Sequence, residues 1–331
     1  MNGAYPTYAA KRLAQAAVVI LLAYVFTFVV VSILPGDPIT SVLRNPQNGF
    51  TEEEIAQIVA AQGLDRPVLV QLWSSLSGFL TGDLGLSMRS SRPVTTMIAE
   101  VLPSTLILAT SALFLAVVLA VVIAYGTQVV PRRYGQGLLR AFPSLFLSVP
   151  NFVIGLVLIH LFGFQLGLFR VIHPDSAWAT FFAAITLAIP ISAQIAEVLI
   201  ASLDHEAGQD YIAVARGRGL PPFRLFTRHL LKPSSLPVVT VIALTIGELL
   251  GGSLITETVF GRTGIGSLVQ RSVSTQDLPV LQAVVSLAAV VFVLSNLIAD
   301  LVYPLLDPRV KLLGARTPRT SAPKPAGATA P

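Results

Sequence analysis

Cysteine is missing from all 331 positions. Its absence excludes a disulfide framework, a thiolate metal site and a cysteine nucleophile, and it leaves the redox compartment unread. Charge is scarce. Asp, Glu, Lys and Arg make up 12% of the chain, against roughly 25% in an ordinary soluble domain. That leaves too little polar surface to cover a globule in water, so the solvent for most of this chain is lipid. The four histidines, His160, His173, His205 and His229, fall in separate segments and offer no metal-ligand spacing. No Gly-x-x-x-x-Gly-Lys-Ser/Thr phosphate loop is present, nor His-Glu-x-x-His, nor Gly-x-Ser-x-Gly. The chain is therefore expected to be no enzyme and to hold no cofactor and no metal.

What is abundant is apolar sequence, 53% of residues. A helix needs about 20 apolar residues to cross a bilayer. Six stretches qualify, near Leu13–Leu34, Leu102–Gly126, Ala141–Phe164, Ala177–Ile200, Leu236–Thr256 and Leu278–Val302. The first follows Lys11 and Arg12 but is too long for a signal peptide and has no small-residue cleavage site, so it reads as a retained anchor. The expected fold is an all-α integral membrane protein of six spans. The net charge of +5 then reports orientation rather than nucleic acid. The N-tail, the second and fourth loops and the C-tail carry 15 of the 22 Lys and Arg, and the other three loops carry 7. Basic loops stay cytoplasmic, so both termini are expected inside.

The chain divides into residues 1–34 (tail and first span), 35–101 (an outside cap), 102–310 (five further spans) and 311–331 (an Ala/Pro-rich tail read as disordered). In the cap, Thr51-Glu52-Glu53-Glu54-Ile55 marks a helix start. Gly63-Leu64-Asp65-Arg66-Pro67 breaks that helix, and a second one is expected over 67–80. The cap is too small to be a catalytic domain.

The fourth loop, 204–235, is basic and heavily punctuated. Asp210 is placed to cap a short helix over Tyr211–Arg216. Gly217 and Gly219 stop it, and Leu220-Pro221-Pro222 turns the chain. In the next helix Phe223, Phe226 and Leu230 share a face, with Arg224 and Arg228 on another. Three readings compete: a helix lying at the lipid headgroups, a nucleic-acid site, and a docking peg for a cytoplasmic partner. Nucleic acid is disfavoured because the two phenylalanines are needed against the membrane side. The elbow favours the peg, since a plain interfacial helix needs no such punctuation.

Glu248 interrupts the fifth span, within Gly247-Glu248-Leu249-Leu250-Gly251-Gly252. A carboxylate there is costly unless it faces water or a partner. It reads either as a structural Glu at a kink or as a lining residue of a translocation path. Gly247 and Gly251 admit a close helix, from this chain or another. Glu197 and Asp300 read as structural.

Asp210-Tyr211-Ile212-x-x-Ala215-Arg216-x-x-Gly219-Leu220, with Arg228-His229 and Pro237-Val238-Val239-Thr240, resembles the EAA loop of ABC-importer permeases. More narrowly, it resembles the dipeptide/oligopeptide/nickel branch. Further landmarks run in order along the chain. They are Leu34-Pro35-Gly36-Asp37-Pro38, Gly82-Asp83-Leu84-Gly85-x-Ser87, Pro103-x-Thr105-Leu106, Ser148-Val149-Pro150-x-Phe152, Glu257-Thr258-Val259-Phe260, Gly264-Ile265-Gly266 and Asp300-x-x-Tyr303. The general loop's Glu and Pro are replaced here: Ala213, Val214 and Ala215 stand at its start, and His229, Leu230, Leu231 and Lys232 at its end. The resemblance implies a type I permease fold with a coupling helix at Asp210, Tyr211, Ala215, Arg216, Gly219, Leu220, Arg224, Arg228 and His229. It implies a multi-pass protein of a prokaryotic inner membrane, with a pathway lined by Glu248, Gly251 and Gly252. It also implies a second homologous permease, two ATPase subunits that bind the ATP and Mg, and an extracytoplasmic peptide-binding protein docking on the cap. Nickel chelates or glutathione are alternative cargoes. A self-sufficient channel or secondary transporter, or a structural scaffold, are alternatives of other classes.

Overall fold

A computed structural model describes residues 4–33, 51–62 and 66–306. Among these the chain is helical, and the one β contact is an isolated bridge between Leu86 and Pro93. In order, the helices are α1 (Ala4–Ile33), α2 (Glu52–Gln62), α3 (Val68–Thr81), α4 (Val94–Val129), α5 (Gln136–Leu147), α6 (Asn151–Leu158), α7 (Ala177–Ala207), α8 (Asp210–Gly217), α9 (Pro222–Leu225), α10 (Leu231–Val259), α11 (Ile265–Ser274) and α12 (Leu278–Leu306). The π-wound turns Ile159–Gln165 and Phe226–Leu230 continue α6 and join α9 to α10. The landmark at 34–38, Gly63 to Asp65, and everything from Asp307 onward, including the tail, lie outside the described residues.

Among the described residues, five helices are long and apolar enough to cross a membrane. The third expected span is not one straight helix. It is a pair, α5 and α6 with its π turn, bent by 104°. Pro150 is the physical reason. It has no N–H and it disfavours helical backbone at Val149, so α5 stops at Leu147 and α6 restarts after Pro150. Counting the pair as one gives six. The second span begins earlier than expected. Residues 94–101 belong to α4, which is 36 residues long.

The core is built where α4 packs on α7. Ala112, Ala116, Ala120 and Ala124 recur every four residues on α4, and none is exposed. This stripe of small side chains admits Ala183, Ala184, Ala188 and Ala196 of α7 at close range. Where lipid supplies no hydrophobic drive between helices, such close van der Waals packing is what holds them. α1 sits at the edge against α12, with Arg12 3.2 Å from Asp300, which gives Asp300 the structural role expected of it. Gly247 answers its own question: a Cβ there would lie 2.1 Å from Phe292 of α12, so it admits a helix of the same chain.

In the segment expected to form a cap, α2 opens with a reciprocal box. The Thr51 N–H donates to Glu54 Oε2 (2.8 Å) and the Glu54 N–H to Thr51 Oγ1 (3.3 Å). The Thr51 N–H and the Thr51 hydroxyl, which also donates to Oε2 (3.1 Å), hold the Glu54 carboxyl below its usual range.

Candidate functional site

The elbow between α7 and α10 is fastened to the core by its apolar side. Ile212 and Ala215 of α8, Leu225 of α9, and Phe226 and Leu230 of the π turn are buried in the same cluster as the α4 and α7 core. Phe226 packs edge-on to Tyr125 of α4, with centroids 5.0 Å apart. Phe223, expected on the same inward face, reaches the rim of Tyr125 at 5.9 Å but stays 65% exposed. It therefore shares neither the burial of Phe226 nor that of Leu230.

The turn itself depends on Gly219, whose φ of +74° lies in the left-handed region where a side chain is strained. Asp210 is not the cap. It is the first helical residue, following Gln209, and no side chain caps α8. Its carboxylate still lies in the first turn, where negative charge suits the helix dipole. Tyr211, Arg216, Arg224 and Arg228 are exposed, Leu220 is half-buried against the core, and His229 is half-buried. Sequence reasoning missed Glu206. The Tyr211 hydroxyl donates to its Oε2 at 2.6 Å, with a longer contact of 3.4 Å to the His229 carbonyl. Pro233, four residues after His229, has no N–H to offer that carbonyl. Desolvation and the Glu206 bond push the Tyr211 hydroxyl up to about 12. Arg140 of α5 was also missed as a contact. It grips Asp204 of α7 with two bonds of 2.6 and 2.9 Å, and Gln128 of α4 donates to the same carboxylate.

At the far end of α10 the polar groups turn inward. Glu257 is fully buried. Thr105 Oγ1 of α4 donates to Glu257 Oε1 (2.7 Å) and accepts the Ile265 N–H (2.7 Å), and the Ser267 N–H donates to Glu257 Oε2 (3.1 Å). The carboxylate thus closes the N-terminus of α11, a helix the sequence reading did not anticipate. Gly264 and Gly266 make room: a Cβ on Gly264 would lie 2.2 Å from that carboxylate, and one on Gly266 2.3 Å from Leu254 Cα. Arg262, also buried, donates to the Pro174 carbonyl (2.7 Å), Thr180 Oγ1 (2.8 Å) and Ser104 Oγ (3.1 Å). Asp277 accepts from the Ser87 hydroxyl and from the Met88 N–H. The landmark motifs around Thr105 and Glu257 thus meet in one buried hydrogen-bond node, and the motif around Ser87 forms a separate one with Asp277.

Glu248 is exposed on α10 in this single chain. Gly251 and Gly252 continue the helix, and their packing lies outside the described residues. Glu197 is exposed on α7. Among the described residues no group of three His, Asp or Glu could hold a metal.

Residues 116–312 match the family described as "Binding-protein-dependent transport system inner membrane component", and residues 7–109 match that system's N-terminal membrane-component family. The chain is similar to the glutathione transport system permease protein GsiC of Escherichia coli strain K12, with 32% identity over 305 residues, 92% of this chain and 98% of that one. It is equally similar to a probable peptide ABC transporter permease, y4tP, of Sinorhizobium fredii, with 32% identity over 314 residues, 92% and 99% of the two chains. Among solved structures, a chain of the MetNI methionine ABC transporter, in inward-facing conformations, shares the fold. The TM-score is 0.53 at 18% identity, over 63% of this chain and 96% of that one.

Proposed function

The chain belongs to the binding-protein-dependent transport inner-membrane-component family of ABC transporter permeases, and from that premise we propose that it is one half of the membrane pathway of an importer for short peptides. It is a multi-pass membrane component with no catalytic centre of its own. The cargo reading rests on the relatives, one named for glutathione, itself a tripeptide, and one for peptide. The partners on this reading are a second permease, two ATPase subunits that supply ATP hydrolysis, and an external binding protein. Both termini face the cytoplasm, in keeping with the bias of Lys and Arg.

The observation that carries the proposal is the elbow. Its inner side is locked into the α4–α7 core, while Arg216, Arg224 and Arg228 are exposed and Tyr211, bonded to Glu206 through its hydroxyl, keeps its ring exposed beside them. A rigid peg of this kind transmits a push from a cytoplasmic subunit into the spans, because the packed core moves as a body. Glu248, exposed on α10, is available to the pathway formed when the second permease packs on.

The test is to purify the tagged chain from native membranes in mild detergent and identify its companions, then measure peptide-stimulated ATP hydrolysis in liposomes. Co-purification of a second six-span permease with ATPase subunits is the expected result. Gly219→Pro and Tyr211→Asp should abolish uptake while the chain still inserts; normal uptake by both would sink the coupling role. A homo-oligomer with no ATPase after cross-linking would favour the channel instead.

A further inference from the structure

Helix α3 carries no charged residue between Arg66 and Asp83. At 14 residues it is about 21 Å long, short of the roughly 30 Å needed to cross a bilayer. Its apolar residues other than Val70 nevertheless fall in one arc, and none of them is buried by the protein. Leu69, Trp73 and Leu80, spaced i, i+4 and i+11, are 79%, 73% and 74% exposed. The neighbouring arc rests on α1: the Phe79 ring lies 4.6 Å from the Tyr24 ring, and Ser75 hydrogen-bonds to Tyr24. Gln71, Ser74 and Thr81 occupy the opposite side.

The point of attachment fixes the depth. The apolar run of α1 extends over Ala9–Val30, so Tyr24 lies six residues, about 9 Å at 1.5 Å per residue, inside its end. A helix that touches α1 there is at the level of the lipid, not in the water above it. On either side of Tyr24, α1 exposes Leu21, Leu22 and Phe26, so the bare stripe of α3 continues a surface that already faces lipid. An indole at the boundary is where tryptophan is favoured, and an uncharged amphipathic helix is suited to bury one face there.

We propose that the Leu69–Trp73–Leu80 stripe of α3 is seated in the lipid of the cap-side leaflet, making α3 an interfacial membrane helix rather than a protein-docking surface. The inference depends on α1 spanning the membrane and not on the cargo or the ATPase partners. It removes α3 from the cap surface open to a binding protein and leaves, among the described residues, α2 and the segment 82–93.

The chain is naturally cysteine-free, so W73C, L69C, L80C and S74C each provide one thiol for a nitroxide label. The full-length labelled chain is reconstituted in phosphatidylethanolamine/phosphatidylglycerol vesicles, and collision with oxygen is compared with collision with a water-soluble nickel chelate. At positions 69, 73 and 80, oxygen contact should exceed nickel contact several-fold; at 74 the ratio should fall or reverse. Equal, high nickel contact at all four would put α3 in water and overturn the proposal. Exclusion of both reagents at 69, 73 and 80 would show a second copy or another subunit on the stripe, and would overturn it equally. Each label replaces an exposed side chain, so three independent reporters remain if one variant fails to reconstitute.

Discussion

The two ends of the rod formed by α9 and α10 treat polar groups in opposite ways. At the Val259 end, Glu257, Arg262 and Asp277 are buried and hydrogen-bonded into α4, α7 and the segment before α4. At the Pro222 end, only apolar side chains enter the core, and the arginines stay outside. Buried polar groups are costly unless every partner is in place, so they specify one arrangement. Exposed cations specify nothing within the chain and remain free for another surface. The first end reads as a fixed joint and the second as a contact awaiting a partner.

Substitutions can break that contrast, and the largest stability effects belong to the buried end. Gly266→Val places a side chain against Leu254 backbone that cannot move aside, with an expected loss of at least about 3 kcal/mol. Membrane levels and the detergent melting temperature should both collapse. Glu257→Ala strands the Thr105 hydroxyl and the Ser267 N–H, at about 2–4 kcal/mol. Glu257→Gln, which keeps one acceptor oxygen, should recover part of the lost melting temperature. Gly219→Val meets no neighbouring atom and costs only the left-handed backbone, about 1–2 kcal/mol. Its melting point should move little while uptake is lost, and a large fall in stability with normal coupling would erase the contrast between the ends. Tyr211→Phe should cost about 1 kcal/mol or less. Because the hydroxyl titrates only near 12, it stays a donor throughout the range below, and the variant should lower uptake equally at pH 6 and pH 8. Arg140→Ala breaks a pair that is 39% and 42% exposed and should shift stability by less than about 1 kcal/mol.

The elbow was readable in advance because its signals are local: Gly219, Pro221 and Pro222 act on their own backbone, whatever surrounds them. The break at Ser148-Val149-Pro150 carried the same kind of signal but was passed over, since hydropathy continues through it without a drop. Glu257 could not be assigned from local pattern at all. Its partner Thr105 lies 152 residues away, and nothing in Glu-Thr-Val-Phe says that the carboxylate will close a helix beginning eight residues later. The signal that did exist was Gly264-Ile265-Gly266, two glycines tight enough to imply close backbone approach. Glu206 was likewise invisible, because its bond to Tyr211 depends on the turn between α7 and α8.

By itself, the order of residues determined that this chain lives in lipid, roughly where it crosses, where it turns, and which family it resembles. Those properties follow from hydrophobic run length and from backbone restrictions that each residue carries with it. Only the tertiary structure decided which polar groups are sealed and which are offered outward, that Gly247 receives Phe292, and that α3 meets α1 beside Tyr24. These depend on distances between segments far apart in the chain, which close packing sets and no local pattern encodes.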